Sequence, residues 1–357
     1  MGKQKVRLLY LGLIIIILAA FLFAEFSLTG CKKGTSTSKQ ETIELVFSHL
    51  VPEMATTAQV AKAWGDKIEE MSGGRVKFTY YWGASLTPPG ETYKGYQTGV
   101  ADVGFYPPEL AYQPLSYGMQ LPLLGIPSMK AGSEIYAKLL DEFPEMRAEF
   151  EGVKVFAPRM AAPTHLHFTK KDVRTPADVK GLKIRVAQDV SIANFLQAAG
   201  ATPVEVVPPE LYLSLEKGMV DGVYFSFPAV NVWGAMPLMK SHTVFGTQGI
   251  SGDNLDVLVF CEATWKRLPD DIKKIIEDLE PWYLEEMIKA EQNEIDKAVA
   301  LAQSEGQTMI YLTDAEIAEW KKYAETVYKT WINDMEAKGK PGRKVYERAV
   351  ELISQYR

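Results

Sequence analysis

Hydrophobic and polar positions alternate at Ile43, Leu45 and Phe47, the pattern of a half-buried strand. They give way to Val60, Trp64, Ile68 and Met71, which recur at the spacing of one helical face before Gly73 and Gly74. Alternation resumes at Val76, Phe78 and Tyr80. Strand, helix and strand in succession predict an α/β lobe with at least partly parallel pairing. Towards the other end, residues 271–280 and 282–302 are rich in helix formers, and Pro281 is placed to start or kink the second segment.

The pattern also repeats. "PPGETYKGYQTGVADVGFY" begins at Pro88 and "PPELYLSLEKGMVDGVYF" at Pro208, and Tyr93, Gly99 and Asp102 have the mutual spacing of Tyr212, Gly218 and Asp221. Each stretch reads as a short helix opened by prolines, closed by glycine and followed at once by a strand. Two lobes built alike would give this echo, and so would coincidence between two common junctions.

Between the echoes stands "RTPADVKGLKIRV". Thr175 is an N-cap, Pro176 takes the first helical position, Asp178 sits where a capping box puts its acid, and Gly181 ends the turn before a strand to Val186. Side chains alternate on a strand, so Arg185 lies opposite Ile184 and Val186 and faces either solvent or a cleft. In a cleft, its planar guanidinium would match a carboxylate with paired N–H donors and would keep its charge near neutral pH.

Composition changes the picture at the N-terminus. Lys3, Lys5 and Arg7 precede an uncharged run from Leu8 to Ala24, which predicts an export signal over 1–30. Leu28-Thr29-Gly30-Cys31 resembles the lipobox of bacterial lipoproteins, with Cys31 as the acylated first residue; an uncleaved membrane anchor is the alternative. Residues 31–41 suit a flexible tether. The net charge is -6, and the signal holds three cations against Glu25, so the chain from Cys31 carries -8. That excess excludes nucleic acid as the partner. With Cys31 lipidated, Cys261 has no partner, and no disulfide is expected.

"RTPADVKGLKIRV" followed by "ANFLQAAGATPVEVVPPELYLSLEKGMVDG" resembles the signature region of the solute-binding receptors of tripartite ATP-independent periplasmic (TRAP) transporters. "SHLVPE", "GDKIEEMSGGRVKFTYYWGASL", "YLTDAEIAEW" and "VYERAVELISQY" extend the resemblance over nearly all of 41–357. It implies an α/β, two-lobed, periplasmic-binding-protein-like fold with a cleft between the lobes and a long C-terminal strut helix. The division expected is 42–163 plus about 247–288 for the first lobe, and 164–246 plus about 289–357 for the second lobe and C-terminal helices. It further implies a partner permease in the membrane, no enzymatic chemistry, no cofactor, and Arg185 as the anchor of a ligand carboxylate.

Departures from the family pattern narrow the ligand. Leu166 stands where many dicarboxylate and sialic acid receptors carry a second arginine, and Phe225 where they carry an asparagine. A monoacid with an apolar or aromatic body is expected, with Arg159 as a weaker candidate for a second cation. A related branch holds a cation through a Glu-Trp pair; here Tyr224-Phe225 follows "VDGV" instead, so no metal is expected. Phe225, Tyr106, Tyr224, Phe227 and Trp82 are the candidate aromatic contacts, with Phe225 and Tyr106 favoured by their place in the echo. His49 and His167 are candidate polar contacts. A receptor for an ATP-driven importer and an exported hydrolase are the competing readings, and neither a P-loop nor a G-x-S-x-G elbow is present.

Overall fold

The computed structural model describes residues 42–356 except 89, 188, 253 and 254. The export signal, Cys31 and the tether fall outside the described residues. Two sheets carry the fold. The first has the order β2-β1-β3-β10-β4, from β1 (Ile43–Ser48), β2 (Val76–Tyr81), β3 (Val103–Tyr106), β4 (Val153–Met160) and β10 (Leu255–Cys261). The second has the order β11-β9-β5-β8-β6-β7, from β5 (Thr164–Phe168), β6 (Lys183–Val186), β7 (Thr202–Glu205), β8 (Gly222–Ser226), β9 (Ser241–Val244) and β11 (Thr308–Tyr311). β1, β2 and β3 run parallel, as do β6, β7 and β8, so each sheet has a parallel half.

The alternation read in the sequence is what buries these strands. Leu45 and Phe47 of β1 enter one core with Ala61, Trp64 and Ile68, from the face of the Thr56–Met71 helix. Gly73 and Gly74, both with positive φ, end that helix. The capping box at Thr175 and Asp178 forms as expected: the Asp178 carboxylate accepts from the Thr175 backbone N–H at 2.8 Å.

The echo is structural too. The helices Thr92–Gln97 and Leu211–Glu216 lead through Gly99 (φ 75) and Gly218 (φ 65) into β3 and β8. Asp102 donates its backbone N–H to Val46 O at 2.9 Å and accepts the Val46 N–H on its carboxylate at 2.9 Å. Asp221 does the same with Lys183, at 2.7 and 2.8 Å. In each lobe, one aspartate thus closes a ring that sets the register of the central parallel pair.

Two chain segments, 161–163 and 245–252, run between the sheets and pair with each other. Thr164 N–H donates to Ser251 O at 2.9 Å and Ile250 N–H to Thr164 O at 2.8 Å. A third tie is the 25-residue helix Glu280–Ser304, with Pro281 in its first turn, about 37 Å long at ~1.5 Å per residue. Its Tyr283 and Met287 pack into the β1/β10 core, and its Ala298 and Ala302 into the core behind β8. It is therefore the strut. The helix Asp314–Ala337 also spans both parts: Trp320 meets Phe195 and Phe245, whereas the Trp331 indole N–H donates to Pro114 O. The last helix, Gly342–Ser354, lies on the first lobe, where Arg348 pairs with Glu142.

Arg159 is the main correction to the expected site. It is 2% exposed and paired with Asp256 of β10 and, at 2.9 Å, with Glu291 of the strut. Burial would lower its pKa, but the two carboxylates raise it. It is a buried cation whose charge two acids already match. Replacing Arg159 with Met should cost about 3–5 kcal/mol in urea unfolding, because two buried acids lose their counter-charge; a loss below about 1 kcal/mol would show that the triad is not what fastens the strut.

Candidate functional site

β10 runs antiparallel to β3, so the linkers leave the first sheet at the carboxyl end of β3, where Val257 faces Tyr106 and Leu255 faces Met160. They enter the second sheet at Thr164, opposite Ser226 at the carboxyl end of β8. The carboxyl ends of both parallel halves therefore meet the same linkers, and ligands of open α/β sheets bind in the crevice outside such ends.

Arg185 occupies the end of β6 and has no exposed surface. Ile184 and Val186 point the other way, into a core with Leu166 and Phe168, as alternation requires. Arg185 pairs in register with Val223, which puts Phe225 diagonally beside it on the same face. The guanidinium lies over the Phe225 ring at 4.3 Å. Its Nε–H donates to Val206 O, just past β7, at 2.9 Å, and Nη1 approaches Tyr224 O at 3.5 Å. These partners hold the planar fork in one orientation.

The first lobe supplies an aromatic edge. Trp82 follows β2 and stacks on Tyr80 at 5.1 Å. His49 follows β1 and stacks on Phe105 at 4.7 Å, with Trp82 at 5.7 Å. Across the two lobes, the Tyr117 hydroxyl donates to Asp189, which also N-caps the helix Val190–Ala198. Burial raises the Asp189 pKa.

The other expected contacts have partners within the protein. Tyr106 donates its hydroxyl to Gln113 at 2.8 Å and stacks on Tyr93 at 5.0 Å, inside the first lobe. A strand turns successive residues to opposite faces, so Phe105 is the β3 residue that meets His49. The Tyr224 side chain lies on the face away from Arg185, with its hydroxyl on Ser251. Phe227 packs on His165, His167 and His242. His167 stands behind the site: its Nε2 meets Phe225 O at 3.0 Å and its Nδ1 meets His242 Nδ1 at 2.6 Å. Leu166 belongs to the opposite core, and His165 takes the Arg185 face at that point. Burial holds His165 down to about 3, so this position adds no cation at neutral pH. Sequence reasoning named Phe105 beside Tyr106 but favoured Tyr106, weighed His242 and set it aside, and passed over Tyr117 and Asp189. Only Asp189 carried a local signal, as an N-cap before an apolar helix.

A model of the bacterial extracellular solute-binding protein family 7 matches residues 47–334. The chain belongs to this family. Family 7 proteins are receptors and not enzymes, and this member is the extracytoplasmic substrate-binding subunit of a TRAP transporter. A C4-dicarboxylate-binding protein of Bacillus subtilis is 26% identical, over 92% of this chain and 95% of its own. A TRAP solute-binding protein of Rhodoferax ferrireducens, solved with copurified benzoate, superposes with a TM-score of 0.79 at 26% identity, over 88% of this chain and 98% of its own. A marine metagenome TRAP solute-binding protein specific for aromatic acid ligands, solved with 3-hydroxybenzoate, gives a TM-score of 0.80 at 26% identity, over 88% of this chain and 99% of its own. Among the described residues of this family 7 chain, no helix is long and apolar enough to cross a membrane.

All four histidines of the chain are buried, and all four pKa values are lowered. His49 is pushed down to about 3, first by burial and then by Arg159. Above about pH 6.5 the ring is neutral in both folded and unfolded chains; below it, only the unfolded chain gains the proton, so stability falls with pH until about 3. His49→Phe should therefore flatten the fall in unfolding free energy between pH 6 and 4 by about 1.4 kcal/mol per pH unit in urea melts. An unchanged slope would show that the ring takes up its proton in the folded state.

Proposed function

We propose that the chain captures an apolar or aromatic monocarboxylate and delivers it to its permease, with Arg185 as the carboxylate anchor. The observation that carries this reading is the Arg185 guanidinium, buried, oriented by two backbone carbonyls and stacked on Phe225. A fixed fork binds a carboxylate edge-on, and the ring beneath it suits an apolar body. A dicarboxylate calls for a second cation; of the two positions considered, Leu166 is apolar and Arg159 is matched by two acids, and His165 beside Leu166 is held neutral. The aromatic acids in the two solved relatives support the same class, whereas the dicarboxylate relative does not.

The lobe boundaries proposed are 42–163 with 247–288 and 164–246 with the strut's second half. The Leu-Thr-Gly-Cys tetrapeptide after an uncharged run supports export and lipid attachment through Cys31.

The test is a thermal-shift and calorimetric screen of wild type, Arg185→Ala and Arg185→Lys against benzoate, phenylacetate, hexanoate, succinate, fumarate and benzenesulfonate. A bound acid at about 100 times its Kd should stabilise the wild type by about 2.7 kcal/mol. Arg185→Ala should weaken monocarboxylate binding by about a hundredfold or more, and Arg185→Lys by less, since the ammonium keeps charge without the fork. Tighter binding of succinate or fumarate would overturn the monoacid reading.

A further inference from the structure

The carboxyl end of β1 holds a donor with nothing to donate to. His49 is 1% exposed, and its Nδ1 accepts the Val51 N–H at 3.2 Å, which leaves the ring proton on Nε2. The other tautomer would set two N–H groups against each other. Nε2 is buried and has no hydrogen-bond partner among the described residues. The ring cannot swing to find one: Phe105 lies parallel to it at 4.7 Å, Phe47 at 6.3 Å, and Trp82 stands beside it at 5.7 Å. Its backbone is held as well, by Tyr81 O on one side and Ala84 N–H on the other. The ring lies near enough to Arg159, at the linker end of β4, for that guanidinium to help keep it neutral. It is thus a neutral donor on the linker side of the first sheet, within the aromatic edge that borders the crevice.

Leaving a buried N–H unpaired costs stability, and a phenyl ring of similar size would stack on Phe105 without that cost. We infer that the His49 Nε2–H is a specificity donor for an oxygen carried by the ligand away from its carboxylate, so that the preferred substrates are hydroxy- or oxo-substituted monocarboxylates. This rests on the receptor reading above but not on the ligand being aromatic. A site built to hydrogen-bond such an oxygen rejects the analogue lacking it, because the donor is then left unpaired.

Calorimetry on matched pairs tests it, using benzoate with 3- and 4-hydroxybenzoate, phenylacetate with 3-hydroxyphenylacetate, and hexanoate with 5-oxohexanoate. Each is measured on wild type, His49→Phe and His49→Gln. Wild type should bind the oxygenated member about tenfold or more tightly in at least one series. His49→Phe should bring that ratio to about one, and His49→Gln, which keeps an N–H donor, should retain part of it. A preference seen only in the hexanoate pair and lost in His49→Phe would uphold the donor while overturning the aromatic reading. Equal affinities within every pair on wild type, or a ratio that survives His49→Phe, would overturn the inference. Failure of wild type to bind any member would overturn it together with the monoacid reading.

Discussion

A guanidinium without exposed surface has to be solvated by the protein that buries it, and this requirement organises the second lobe. Arg185 gives up water for two backbone carbonyls, Val206 O and Tyr224 O, and for the face of Phe225. Val206 O lies just past β7 and Tyr224 O in the middle of β8, the two strands that flank β6, so the arrangement works only if β6, β7 and β8 keep one register. The Asp221 ring with Lys183 fixes β6 against β8, and the His167 Nε2 meets the Phe225 carbonyl, steadying the strand whose ring the guanidinium covers. A shift of one residue would turn Arg185 into the apolar core and Ile184 into the crevice.

The same device in the first lobe, between Asp102 and Val46, shows why the sequence echo has functional weight. A short helix closed by a left-handed glycine delivers an aspartate to the start of a strand, and that aspartate ties the strand to its parallel neighbour. The far end of each tied strand then carries a residue of the candidate site, Phe105 on β3 and Phe225 on β8. The two halves are mechanically alike and chemically different: one end supplies a fixed charge, the other an aromatic edge with a neutral donor.

Local chemistry was legible in the chain because it is written in short windows. The capping box at Thr175, the glycine stops, the burial of Ile184 and Val186 and the start of the strut at Pro281 follow from spacing and propensity alone. The resemblance carried by "GLKIRV" marked Arg185 as the anchor, a choice that alternation by itself left open. What the sequence left open was register by one residue, at Tyr106 against Phe105 and at Leu166 against His165. A strand presents opposite faces to different cores, and when both faces are apolar the pattern cannot say which one borders the crevice. Arg159 was opaque for another reason: Asp256 and Glu291, which claim it, lie about a hundred residues or more away in the chain.

The Arg159 triad bears on how the two lobes are kept in relation. Arg159 precedes the first linker, Asp256 follows the second, and Glu291 lies at the middle of the strut. One buried cation thus fastens both crossing strands to the helix that spans the lobes, on the first-lobe side only. Beyond it, towards Thr164 and Ser251, the linkers are held to each other by backbone hydrogen bonds and to Tyr224 by one hydroxyl pair. The linkers thus meet the first lobe through a buried ion triad and the second through the Tyr224 hydroxyl. On the proposed reading, a ligand held by Arg185 on one side and by the His49 edge on the other would bridge the two lobes beside these linkers, so its binding energy would favour the closed arrangement.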